Sequence, residues 1–181
     1  LIYLVGFSQI PDGYYTTATG KSGEELKTAL YNIIKGHTER TYSNLWTDFQ
    51  STDKHTDGTV WDMYSNCTYT FGSPYQDDGS GGTSECQKYN REHSFPKSWF
   101  NDATPMYTDL FHLYPTDKYV NNARSNYIFA EVTTTSKTFN NGSKLGTTSA
   151  PGTSVIVFEP IDEYKGDFAR TYLYMATRYE N

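Results

Sequence analysis

Residues Tyr89-Asn-Arg-Glu-His-Ser-Phe-Pro-Lys-Ser-Trp99 decide the reading of this chain, together with Asp109-Leu-Phe-His-Leu-Tyr-Pro115 and Thr116-Asp-Lys-Tyr-Val-Asn121-Asn-Ala-Arg124-Ser-Asn-Tyr127 downstream. The first stretch places Glu92, a metal-type ligand, beside His93, a potential base, a pairing that suggests metal-assisted hydrolysis. Leu110 to Tyr114 is short, apolar and bounded by Pro115, which ends a strand and can sit in the first turn of a helix. The predicted order is a strand ending at Glu92 and His93, a loop through Thr108, a strand over Leu110 to Tyr114, and a helix from about Pro115. Asn121 then lies mid-helix, where asparagine is a poor former, so its presence asks for a reason such as metal ligation. Neighbours in a regular strand point to opposite faces, so the strand must end or bulge if Glu92 and His93 are to address one ligand. Pro96, which cannot donate to a ladder, is consistent with an ending.

At 181 residues a single domain with its own core is expected. The 17 tyrosines and 10 phenylalanines exclude a disordered chain despite the hydrophilic average. A net charge of -6 argues against a protein that holds nucleic acid by bulk electrostatics. Around the motif the balance is even: Lys88, Arg91, Lys97, Lys118 and Arg124 offset Glu85, Glu92, Asp102, Asp109 and Asp117. A bound divalent cation would make this region positive.

Leu1 to Ser8 is apolar but too short to span a bilayer. It reads as the tail of an export signal with Gln9 as the mature N-terminus, and a core strand is the alternative. Cys67 and Cys86 flank a Gly, Ser and Asp-rich loop, and in an exported chain they are expected to form one disulfide, worth about 3 kcal/mol in the chain-entropy model. Their spacing matches no zinc pattern.

Ser22-Gly-Glu-Glu25 has the form of a capping box, and Leu26, Ala29, Leu30, Ile33 and Ile34 recur on one helical face until Gly36. A second helix is predicted from Thr41 or Ser43, with Tyr42, Leu45, Trp46 and Phe49 at helical spacing. Val60 to Tyr64 and Cys67 to Phe71 have the composition of strands. Residues 131 to 154 read as loop or short edge strands around the turn at Asn140-Asn-Gly142. Val155 to Phe158 reads as a buried strand, and Pro160 opens a helix with Phe168, Ala169, Tyr172, Leu173 and Ala176 in one stripe.

Arg91-Glu-His-Ser-Phe-Pro-Lys-Ser-Trp99, Asp109 to Tyr127, and Phe158-Glu-Pro-Ile-Asp-Glu-Tyr-Lys-Gly-Asp-Phe-Ala-Arg170, in this order, resemble the bacterial endonuclease I family, nucleases of the His-Me finger or ββα-metal class. The resemblance covers roughly Gln9 to Tyr179. It implies an α+β fold of helices and short antiparallel strands around a ββα-metal motif in one nuclease domain, residues 9–181. It also implies a secreted or periplasmic enzyme that cleaves DNA and RNA with little sequence preference and leaves 5′ phosphates. No membrane partner after signal cleavage and a monomeric state are expected.

By the same resemblance Glu92 and Asn121 hold one divalent ion, Mg²⁺ first, with Ca²⁺ or Mn²⁺ as alternatives, and His93 is the base. A carboxylate and an amide oxygen suit hard Mg²⁺, which keeps several waters, and imidazole titrates near neutrality. Arg124 is assigned a catalytic contact to the phosphate, with a salt bridge to a nearby acid as the open alternative. Arg91, Lys97 and Arg170 are candidate substrate-binding cations. His112 reads as a packed, hydrogen-bonded histidine at a place where many relatives have Asp-Leu-His-Asn-Leu-Tyr-Pro. Relatives continue further, with a Gln-Gly-Asn-Arg-Asn-Pro-Phe type motif, so the chain is expected to be truncated at its C-terminus. A secreted glycan- or protein-binding module, or an inactive nuclease remnant, are the competing readings.

Overall fold

The computed structural model of the chain describes residues 10–149 and 154–180, so the expected export-signal remnant lies outside the described residues. These residues group into two compact units, one of residues 39–172 and a smaller one of residues 10–38 with 173–180. The fold is α+β, with helices and two small sheets of short strands.

The ribbon that carries the motif is antiparallel: β1 (Tyr89–His93) pairs with β2 (Leu113–Asp117), Glu92 opposite Tyr114 and His93 opposite Leu113. The register is continuous through His93, and the bond from Ser94 N–H to His112 O carries it one step further, so the break expected between Glu92 and His93 is absent and the two keep strand alternation. The second strand differs from expectation. It runs from Leu113 rather than Leu110, and Pro115 lies inside it opposite Arg91 instead of opening a helix. Parity explains this. The bonds Ser94 N–H to His112 O (3.0 Å) and Lys118 N–H to Lys88 O (2.9 Å) put bonded pairs at the even positions of β1. Pro115 therefore falls at a non-bonded pair, with its missing N–H on the free edge of a two-stranded ribbon.

Helix α3 (Lys118–Arg124) follows directly and carries Asn121. Its start is set by Asp117, whose Oδ1 accepts the Val120 N–H at 3.0 Å. The other oxygen of Asp117 accepts the Tyr69 hydroxyl (2.6 Å) and the Cys86 N–H (2.8 Å), and Asp117 N–H donates to Asp62 (3.0 Å). The Cys67–Cys86 disulfide is present, so the covalent tie and the helix cap share one carboxylate. Val120 on α3 packs into a core of Met63, Tyr64, Phe139, Phe158 and Phe168, which anchors the helix against the rest of the unit.

Val60 to Phe71 forms no strands. Side chains take Tyr64 N–H (Asp62) and Cys67 N–H (Ser65), Trp61 N–H goes to Asp53 O, and one bond, Val60 N–H to Tyr69 O, joins the two halves. Local side-chain acceptors of this kind compete with a ladder.

Helix α1 (Gly23–Ile34) is present, though the Ser22 side chain does not cap it, and α2 (Leu45–Thr52) buries Leu45 and Phe49. The second sheet has order β3-β6-β5-β4, with β3 (Ile128–Phe129), β4 (Thr134–Thr138), β5 (Lys144–Thr148) and β6 (Val155–Glu159). β5 is interior to this sheet rather than an edge. β6 buries Val157 and Phe158 while Val155 and Ile156 are exposed, so it is only half the buried strand expected. Helix α4 (Asp162–Arg178) starts two residues after Pro160. Among the described residues no helix is long and apolar enough to cross a membrane.

Candidate active site

The end of β1 and the face of α3 line a cleft of about 450 Å³ that includes Asn90, Arg91, Glu92, His93, Lys97 and Asn121. The structure thus brings together both expected metal ligands, the expected base and two of the three expected substrate cations. Asn121 is oriented by β1, because its Nδ2 donates to Asn90 Oδ1 at 2.8 Å. Its amide oxygen is turned away from Asn90 by that bond. Ser125, at the end of α3, is held at φ 53°, a conformation most residues avoid, and it also lines the cleft.

Glu92 is only 3 % exposed. Its Oε1 accepts the Tyr64 hydroxyl (2.6 Å) and Arg124 Nη1 (2.5 Å), which leaves Oε2 outside both bonds. Burial pushes this carboxyl above its ordinary value, and Arg124 and Tyr64 oppose the shift by favouring the anion.

Arg124 settles the alternative left open by its sequence. Its side chain has no exposed surface, and its donors go to Glu92, to His93 O (3.0 Å), to Ser94 O (2.6 Å) and, through Nε, to Tyr127 O (3.1 Å). The Phe129 ring covers it at 4.4 Å. A guanidinium enclosed in this way meets no phosphate; it makes the salt bridge to an acid instead.

His93 is 5 % exposed and stacks on Tyr107, with centroids 5.1 Å apart. Its Nε2 lies 3.0 Å from Tyr107 O, and because a carbonyl only accepts, Nε2 carries the proton and Nδ1 the lone pair. Burial pushes the imidazole down to about 4, against the Tyr107 carbonyl, so the ring is neutral at physiological pH. His112 is fully buried behind it, 5.5 Å away, with Nε2 donating to Met106 O at 2.6 Å. The two histidines are therefore keyed to consecutive carbonyls of the short helical turn Met106–Thr108.

The remaining cations divide. Lys97 lines the cleft and pairs with Asp102 at 3.0 Å. Arg170 is exposed on α4, pairs with Asp167 at 2.5 Å and is not part of the cleft lining. Arg91 is stacked between the Tyr42 and Trp46 rings. Sequence reasoning missed Tyr64, Asp117, Tyr42 and Trp46. Of these only Asp117 left a local trace, as an aspartate directly before a helix.

The donors fit a hard divalent ion. Both are oxygens, one from a buried carboxylate and one from an oriented amide, and few protein ligands are needed by an ion that keeps its waters. Among the described residues no cluster of three or more His, Cys, Asp or Glu side chains forms a self-sufficient metal cage.

Residues 22–181 match the model of the family described as Endonuclease I. The chain is 39% identical over 174 residues to an extracellular ribonuclease of Bacillus amyloliquefaciens, covering 92% of this chain and 53% of the relative. It is 37% identical over 175 residues to an extracellular ribonuclease of Bacillus subtilis (strain 168), covering 93% and 54%. The chain spans about half the length of these relatives.

Proposed function

The chain belongs to the Endonuclease I family, and from that premise we propose that it is a secreted, metal-dependent endonuclease hydrolysing phosphodiester bonds in RNA and DNA. The relatives named extracellular ribonucleases support export and an RNA substrate. DNA as a second substrate, a monomeric state and 5′-phosphate products follow from the family resemblance.

The observation that carries the reading is the placement of His93, with Nε2 committed to the Tyr107 carbonyl, in the same cleft as Glu92 and Asn121. His93 takes a proton from the attacking water at Nδ1, the only ring nitrogen with a lone pair. Glu92 and the Asn121 amide oxygen would hold one divalent ion, Mg²⁺ first among the candidates and Ca²⁺ or Mn²⁺ after it. When bound, that ion supplies positive charge for the phosphate oxygens and the departing 3′ oxygen. Tyr64 and Arg124 keep the Glu92 carboxylate in place from behind. Lys97 lines the cleft with its ammonium paired to Asp102.

Digestion of plasmid and of RNA in Mg²⁺, in Ca²⁺ and in chelator, run beside His93→Ala, tests the proposal. The expected result is cleavage by the parent in metal, none in chelator, and a loss of about 100-fold or more in His93→Ala with folding retained. Equal cutting in chelator overturns the metal mechanism, and an unchanged rate in His93→Ala removes the base. A parent that degrades neither polymer points to a binding module.

A further inference from the structure

We propose that Arg91, clamped between Tyr42 and Trp46, is an anion subsite of the cleft that takes a backbone phosphate neighbouring the one being cut. This rests on the nuclease reading above and adds a second point of substrate contact to it.

Four of the five cations around the motif are neutralised by carboxylates: Lys88 by Asp78 (3.1 Å), Lys97 by Asp102 (3.0 Å), Lys118 by Asp77 (2.8 Å) and Arg124 by Glu92 (2.5 Å). Arg91 has no carboxylate within ion-pair distance among the described residues; Asp77, which acts on it from further away, pairs with Lys118. Its guanidinium carbon lies 3.5 Å from the Tyr42 ring centroid and 4.2 Å from that of Trp46, and Nη1 donates to Tyr42 O at 2.7 Å. Both faces of the plane and one of its donors are thus fixed, while the side chain still lines the cleft beside Asn90 and Asn121.

A half-buried cation without a counter-ion is costly, and burial lowers the pKa of this guanidinium. The aromatic faces offset part of that cost. A planar fork held in one orientation is suited to the two oxygens of a phosphate. Because the orientation is set before the substrate arrives, little side-chain entropy is lost on binding. In a chain of net charge -6, such a point attracts a polyanion without a basic surface. Arg91 adjoins Glu92 in β1, where successive side chains take opposite faces, so the two groups are assigned to neighbouring phosphates rather than the same one.

The bland alternative is that Arg91 only pins Tyr42 and Trp46 onto β1. The salt dependence of binding separates the two. A single-stranded DNA oligonucleotide is titrated into His93→Ala in Mg²⁺ by fluorescence anisotropy over a range of NaCl, with and without the added change Arg91→Met. Loss of one phosphate contact lowers the slope of log K against log salt by about 0.7. In the enzymes with His93 intact, Arg91→Met raises KM several-fold more than it lowers kcat. An unchanged slope with a lower melting temperature overturns the subsite in favour of the pin. Arg91→Lys keeps the charge but not the fork: a preserved slope with several-fold weaker binding supports the inference even where Arg91→Met fails to fold, and parental affinity overturns it. If the His93→Ala protein binds no oligonucleotide, the nuclease reading fails and takes this inference with it.

Discussion

Arg124 and Arg91 both belong to the surroundings of Glu92, and the protein uses them in opposite ways. Behind β1, Arg124 is without exposed surface, and its guanidinium is committed to one carboxylate and three carbonyls. In the cleft, Arg91 is held by two aromatic faces and one carbonyl, and among the described residues no carboxylate lies within ion-pair distance of it. The comparison teaches that residue type alone does not assign a role. A guanidinium whose donors are all met internally positions other groups, and one with donors in reserve is available to an anion.

The largest expected effect comes from breaking the rear. Arg124→Met leaves Glu92 buried beside an apolar chain, and removing one partner of a buried pair destabilises by about 3–5 kcal/mol. Urea denaturation measures this. The same exchange at Arg91 is expected to shift stability much less, because that side chain is half-buried and anchors no charge. If both exchanges destabilise equally, the contrast between the two regions is lost.

The next effect concerns the tether. Replacing Cys67 and Cys86 together by serine is expected to lower stability by about 3 kcal/mol. The same change loosens the Cys86 N–H bond to Asp117, the cap of α3, and so weakens binding of Mn²⁺ through Asn121. Thermal unfolding and calorimetric metal titration read the two effects separately. A stability loss with parental metal affinity would show that the disulfide does not reach the site.

That these residues share a cleft is legible in the sequence because the signals are local. Glu92 and His93 adjoin at a strand end marked by Pro96, and Asn121 stands out in a helix that has little use for asparagine. The errors arose where distant groups decide. Pro115 looked like a helix opener, but a free ribbon edge tolerates it at a non-bonded pair. Val60 to Phe71 had strand composition, yet Asp62 and Ser65 satisfy its backbone instead. The burial of Arg124 depends on Tyr64, Phe129 and Tyr172 meeting over it, and the clamp on Arg91 depends on α2. No window of sequence contains those encounters.

A smaller change sharpens the account of the rear. Tyr64→Phe keeps the ring in the core with Phe158 and Phe168 and removes only the hydroxyl that Glu92 accepts. A hydrogen bond to a charged group contributes about 1.5–3 kcal/mol, so a moderate stability loss is expected. Groups that orient a metal ligand typically affect affinity by about 10–100-fold. Calorimetric titration with Mn²⁺ should therefore show weaker binding. Parental affinity in Tyr64→Phe would mean that Arg124 alone holds the carboxylate.

The smallest expected effect is at Arg170, and its smallness is what tests the comparison. Arg170 carries the same charge as Arg91, but it is exposed on α4, pairs with Asp167 one helical turn away, and is absent from the cleft lining. An exposed pair at this spacing contributes about 0.2–0.5 kcal/mol, and salt screens it. Arg170→Ala is therefore expected to leave the salt slope for oligonucleotide binding unchanged and KM within about twofold, since a charge that is solvated and already paired adds little local potential. Should Arg170→Ala lower the slope as much as Arg91→Met, binding would follow total positive charge, and the cleft geometry that distinguishes Arg91 would carry no weight.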